Sequence, residues 1–99
     1  MKASIAIQIL PNMGTTEEMV RVVDEVIAYI ASTGLNYYVG PFETTVEGDD
    51  FDQLMEIISN CVKTAEAAGS EKISAYVKIS YAPNSKILTI DEKVTKHHK

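Results

Sequence analysis

What most constrains this chain is the order in which two hydrophobic periods follow one another. From Ala3 to Leu10 the period is two: Ile5, Ile7 and Ile9 fall on one side, Ser4, Ala6 and Gln8 on the other. Alternation with β-branched residues describes a strand buried on one face. Pro11-Asn12-Met13-Gly14 interrupts it, and the period then lengthens to that of a helix, with Met19, Val23, Val26, Ile27 and Ile30 recurring. Thr15 supplies an N-cap, and Glu18 is the return partner of a capping box. Gly34 stands where the chain would leave the helix through a left-handed residue. The spacing predicts a helix over 16–32.

The same alternation of periods then repeats. Asn36–Gly40 and Phe42–Glu47 are rich in Tyr, Val and Thr and are joined at Gly40-Pro41, which reads as a hairpin. Gly48-Asp49-Asp50 closes it and offers an N-cap to a second helix, whose apolar stripe is Phe51, Leu54, Met55, Ile58, Cys61, Val62 and Ala65, ended by Gly69. Lys72–Tyr81 alternates again, Ala82-Pro83-Asn84-Ser85 turns, and Thr89-Ile90-Asp91-Glu92 is another capping box that opens a short C-terminal helix. The order β-α-β-β-α-β is the split βαβ arrangement, and right-handed crossovers place both long helices on one side of the sheet. The expected class is therefore α+β. It is a ferredoxin-like βαββαβ sandwich with a four-stranded antiparallel sheet, two helices on one face and a short C-terminal helix. One domain spans 1–99, with about 96–99 as a frayed tail. The second sheet face, carrying Ala6, Gln8, Tyr76 and Lys78, is expected to be open. It suits packing against a partner, so a homodimer or homotetramer is expected.

Composition removes several classes of function. The formal net charge is −5, which opposes a surface built to hold a phosphate backbone. Base-stacking aromatics on the open face reduce to Tyr76, so RNA binding is not expected. No apolar run nears the ~20 residues of a membrane span, the N-terminus lacks a signal-peptide pattern, and the lone Cys61 cannot form an internal disulfide. A cytoplasmic protein is expected. The chain has no phosphate-binding loop motif, no dinucleotide fingerprint and no Cys/His cluster for a metal. Cys61 lies on an apolar stripe and reads as core. Asp49, Asp50 and Asp52 read as cap and helix-dipole residues, and His97 and His98 as tail. No catalytic residue, metal or cofactor is expected.

The segment from Asn36 to Gly48 is the richest in chemistry, with three aromatics, two Thr hydroxyls and two carboxylates in one hairpin. Aromatics can cover a heterocycle or face a cation. Hydroxyl and carboxylate groups can fix ring nitrogens and an exocyclic amine. A plain hairpin meets the same composition equally well, because Tyr and Thr favour strands for packing reasons alone.

Within this segment, Gly40-Pro41-Phe42-Glu43-Thr44-Thr45-Val46-Glu47-Gly48 resembles the signature of the thiamine-binding protein family. Gln8 and Pro11, Gly34, and Asp91-Glu92-Lys93-Val94 are similar to it as well, and the resemblance spans essentially the whole chain. It implies a ferredoxin-like fold, symmetric dimers that pair into tetramers, and non-catalytic binding of thiamine or its hydroxymethylpyrimidine half. By motif position it carries Thr44 and Glu47 over as polar ligand-binding residues, with Gly48 allowing close approach of the backbone. Asn12, Tyr38 and Phe42 join them on chemistry and expected proximity. Residues three apart on a regular strand face opposite ways. Thr44 and Glu47 therefore share one pocket only if the strand bends or ends between them; otherwise one of the two is structural. The alternatives are an oligomeric interaction domain with no ligand and, ranked last, an enzyme using Glu43 or Glu47 as general base.

Overall fold

Strand β1 (Ala3–Pro11) is the axis of the molecule in the computed structural model, which describes residues 1–95. Along its whole length β1 pairs antiparallel with β4 (Ile73–Tyr81), and over Ala3–Ile7 with β3 (Thr44–Gly48) on its other side. Strand β2 (Asn36–Val39) completes the sheet against β3, in the order β2-β3-β1-β4. This is the antiparallel sheet of the expected ferredoxin-like α+β fold. The third strand starts at Thr44, not at Phe42, because residues 40–43 close as a tight turn. The Gly40 N–H donates to the Glu43 carbonyl at 2.9 Å, and a Cβ on Gly40 would lie 3.0 Å from that same oxygen. Pro41 and Phe42 are thereby held at the hairpin tip.

Helix α1 (Thr16–Ser32) starts where the Thr15 hydroxyl accepts the Glu18 N–H at 3.1 Å. Helix α2 (Phe51–Ala67) starts where the Asp50 carboxylate accepts the Gln53 N–H at 3.1 Å. Gly34 and Gly69 follow them with φ of +78° and +113°, the left-handed region where a side chain is disfavoured. The helices lie chiefly over β1. Ile5, Ile7 and Ile9 are buried there against Val22, Val26 and Ile30 of α1 and Leu54, Ile57 and Cys61 of α2. Full burial of each Leu or Ile contributes roughly 1.5–3 kcal/mol.

The second sheet face is not open throughout. After β4 the chain returns beside its own N-terminus, with the Ala82 N–H donating to the Lys2 carbonyl at 2.8 Å and the Ile87 N–H to that of Met1 at 2.9 Å. It then lays α3 (Ile90–Val94) on the far side of β3, burying Ile90. The capping box expected at Thr89 and Glu92 is formed in both directions. Beyond Ile73, which packs on the core, β4 is largely exposed on both sides. Tyr76 and Lys78 are exposed on the second face; Val77, Ile79 and Tyr81 are exposed on the helix side even though they pair with Ile7, Ile5 and Ala3. Tyr81 is covered in part by Phe51, the rings stacking at 4.6 Å between centroids. The expected tail at Lys96-His97-His98-Lys99 lies outside the described residues. Among the described residues no helix is long and apolar enough to cross a membrane.

Candidate functional site

The apolar surface of α1 is wider than the core needs. Val22, Val26 and Ile30, spaced by four, are buried. Met19, Val23 and Ile27 repeat the same spacing one residue further round and are only part-covered. This second stripe overhangs the end of the β2–β3 hairpin and roofs a cleft of about 300 Å³. Ile7 and Ile9 of β1 and Thr44 at the start of β3 lie across from it, and Gly40, Pro41, Phe42 and Glu43 form the hairpin wall. The space stays open because β2 is four residues long and contributes only Val39 to the lining.

The chemistry of the cleft is simple. Its lining is mostly aliphatic, and among the described residues Glu43 is the one ionisable residue in it. Thr44 is 7% exposed and brings a hydroxyl able to donate once and accept twice. Phe42 is 78% exposed at the hairpin tip, an aromatic face offered to whatever enters the mouth. The Glu43 carboxylate lies 3.2 Å from the Lys78 ammonium, so it is turned to the second sheet face and its charge is paired there.

Strand parity separates the two signature residues. Thr44 and Val46 pair with Ile7 and Ile5 and face the helices; Thr45 and Glu47 pair with Ala6 and Ser4 and face the other way. The β3 ladder is regular through Gly48, so no bend brings Thr44 and Glu47 together. Glu47 is 3% exposed, and both its oxygens are engaged. Oε1 accepts from Asn36 Nδ2 and Oε2 from the Ile90 N–H, each at 2.8 Å. The Ile90 N–H opens α3 and is one of the donors a helix leaves unpaired at its start. A carboxylate there satisfies the donor and opposes the positive end of the helix dipole. Glu47 thus fastens the C-terminal helix to the sheet.

The other expected residues are dispersed. Gly48 faces inward, where a Cβ would lie 3.4 Å from Leu35 Cδ1 and 4.0 Å from Leu54 Cδ2, so its lack of a side chain makes room for core leucines. Tyr38 pairs with Thr45 on the second face. Asn12 is exposed beyond β1; its N–H donates to the Lys72 carbonyl at 2.9 Å. Of the six residues singled out in the sequence, Thr44 and Phe42 meet at the cleft, while Asn12, Tyr38, Glu47 and Gly48 do not line it. The cleft also uses Met19, Val20, Val23, Ile27 and Val39. Their signal in the sequence was an apolar arc on the first helix broader than one stripe.

Cys61 is fully buried beneath α2 and away from the cleft, and burial pushes its thiol up to about 11. It is a neutral core side chain at ordinary pH. Asp50 is spent on the α2 cap, and the Asp49 carboxylate accepts the Lys2 N–H at 3.1 Å.

Comparison with known proteins agrees with this architecture. The family model described as thiamine-binding protein matches residues 5–98. UPF0045 protein CPE1503 of Clostridium perfringens is 39% identical over 94 residues, covering 95% of each chain. The crystal structure of protein SP2199 from Streptococcus pneumoniae superposes with a TM-score of 0.80 at 40% identity, covering 96% of this chain and 99% of that one. A Thermotoga maritima protein, TM0486, named as a candidate for thiamine biosynthesis or salvage, superposes with a TM-score of 0.83 at 30% identity over 98% of this chain and 99% of its own. With the family model spanning nearly the whole sequence and close relatives matching end to end, the chain belongs to the thiamine-binding protein family.

Proposed function

We propose that this chain, acting as a single ferredoxin-like domain, binds thiamine or its hydroxymethylpyrimidine half without catalysing a reaction. The observation that carries the reading is the cleft between α1 and the hairpin tip, with Thr44 of the family signature in its lining and Phe42 at its mouth. Its volume of about 300 Å³ lies at the small end of ligand pockets, which are mostly apolar with a few placed polar groups. In this reading the Thr44 hydroxyl bonds a ring nitrogen or amine, and Phe42 covers an aromatic face. Glu47 acts from behind, holding α3 against the strand that carries Thr44; Gly48, Tyr38 and Asn12 belong to the scaffold. Among the described residues Glu43 alone in the lining is ionisable, and no acid–base pair meets in the cleft.

We also read the protein as a cytoplasmic homodimer or homotetramer. The bare β4 edge, with Tyr76, Val77, Ile79 and Tyr81 exposed, supports association of copies. The same strand favours the second reading, an interaction domain in which the cleft holds nothing.

Isothermal titration with thiamine and, separately, with hydroxymethylpyrimidine tests the proposal. Saturable binding of either at micromolar strength is expected, lost in Val23→Trp, which fills the cleft, and weakened in Thr44→Val. No heat with either ligand from a folded protein overturns the binding reading in favour of the interaction domain.

A further inference from the structure

We propose that the Lys78–Glu43 ion pair is a latch. From the sheet face away from the cleft it holds the hairpin turn that forms the cleft wall, and so it sets how tightly the cleft holds a ligand. The hold on the turn stands on geometry alone; the effect on affinity rests on the binding site read above.

The sheet ladders stop short of this wall. The last pair of β3 with β1 is Thr44 with Ile7, and its last pair with β2 is Thr44 with Val39. Residues 40–43 therefore project past the paired part of the hairpin, while β1 runs on to Pro11 against β4. The bond from the Gly40 N–H to the Glu43 carbonyl closes the turn on itself and does not tie it to the sheet. The tie is Lys78 Nζ to Glu43 Oε1 at 3.2 Å, which joins the turn to β4.

To make it, the pair crosses β1. Lys78 stands opposite Ala6, and Ala6 opposite Thr45, in one row on the second face. Ala6, Thr45, Lys78 and Glu43 border one shallow hollow there, and the methyl of Ala6 leaves room for the lysine chain above β1. Phe42 and Thr44, on either side of Glu43 in the chain, line the cleft, and Lys78 does not. Lys78 is thus a positioning residue that acts on the wall through Glu43. The two side chains are 77% and 34% exposed, so the pair adds little to global stability. A turn outside the ladders needs little energy to bias its position, so the effect falls on local order and on affinity.

The test combines two readouts. Amide relaxation reports the turn without any ligand: in Lys78→Gln the order parameters of Gly40, Phe42 and Glu43 are expected to fall, and in Lys78→Arg to keep the parent values. Isothermal titration reports the cleft, with hydroxymethylpyrimidine at pH 8, where this probe is uncharged. Lys78→Gln and Glu43→Gln are each expected to weaken binding about two- to fivefold, the range of an exposed ion pair. The double variant is expected to bind no more weakly than either single one, and Glu43→Lys with Lys78→Glu to recover the parent affinity. Order parameters unmoved in Lys78→Gln overturn the latch, whatever the titration gives. A looser turn with unchanged affinity overturns its control of the cleft and leaves the binding reading intact. Absence of binding by the parent removes the binding reading and the control of affinity with it, while relaxation still decides whether the pair holds the turn.

Discussion

Thr44 and Glu47 stand on the same short strand and serve opposite faces of the sheet, so their substitutions should separate cleanly. Glu47→Ala strips the acceptor from both Asn36 and the first N–H of α3. Charge-assisted hydrogen bonds of this kind contribute roughly 1.5–3 kcal/mol, so chemical denaturation should show a loss of about 2 kcal/mol. Thr44→Val keeps the shape and removes the hydroxyl. It should leave the denaturation midpoint nearly unchanged while weakening thiamine binding in titration. A Glu47→Ala protein as stable as the parent would mean that the α3 contact contributes nothing. Cys61 offers a second residue-scale check. Its thiol is buried and pushed up to about 11, so it should resist a disulfide exchange reagent at pH 8 in the native protein and react at once in denaturant. Cys61→Ser places a hydroxyl in an apolar site and should cost about 1–3 kcal/mol; an unchanged melting temperature would place Cys61 outside the core.

The secondary elements were legible because each announces its ends in local chemistry. Thr15, Asp50 and Thr89 cap the three helices, and Gly34 and Gly69 release the two long ones, all from side chains that act within a turn of their own position. The sheet order was legible because crossover handedness leaves few choices. The cleft was not legible in the same way. Met19, Val23 and Ile27 look like core in a linear reading, and only the short reach of β2 and the tight turn at residues 40–43 leave them unpartnered. The lodging of Glu47 under α3 was equally hidden, since it depends on where a segment more than forty residues later comes to rest. At this scale the C-terminal helix should be sensitive to acid. Glu92 accepts the Thr89 N–H, and the backbone and side-chain hydrogen bonds to Thr89 hold its carboxyl below the usual carboxylate range. A lowered pKa in the folded state stabilises α3 above the unfolded carboxyl's range, and that contribution is lost as pH falls through the lowered value. On acidification, amide protection relative to the intrinsic exchange rate should therefore fall at Ile90–Val94 before it does in α1 or α2. Glu92→Gln should weaken that pH dependence; protection that falls evenly across all three helices would count against it.

Across the molecule, the least covered surface is the β4 edge, whose apolar side chains would invite another sheet if nothing blunted them. Sedimentation should show a concentration-dependent species larger than the monomer, and Ile79→Lys, which puts a charge on that edge, should shift it toward the monomer without changing thermal stability by more than about 1 kcal/mol. A parent protein that stays monomeric at high concentration would leave β4 a tolerated edge. Strand β3 sits near the opposite side of the sheet and has no such freedom. It is five residues long and committed on both sides, with Thr44, Val46 and Gly48 turned to the helices and Glu47 to the C-terminal strap. If a folding chain paired it one residue out of step, Glu47 would enter the aliphatic interior with no donor to meet it, Val46 would be turned outward, and Ile90 would lose its anchor. The error would penalise itself at three places at once. The acidic residue of the signature thus acts as a proofreader of assembly, discarding misaligned sheets before either face can be completed.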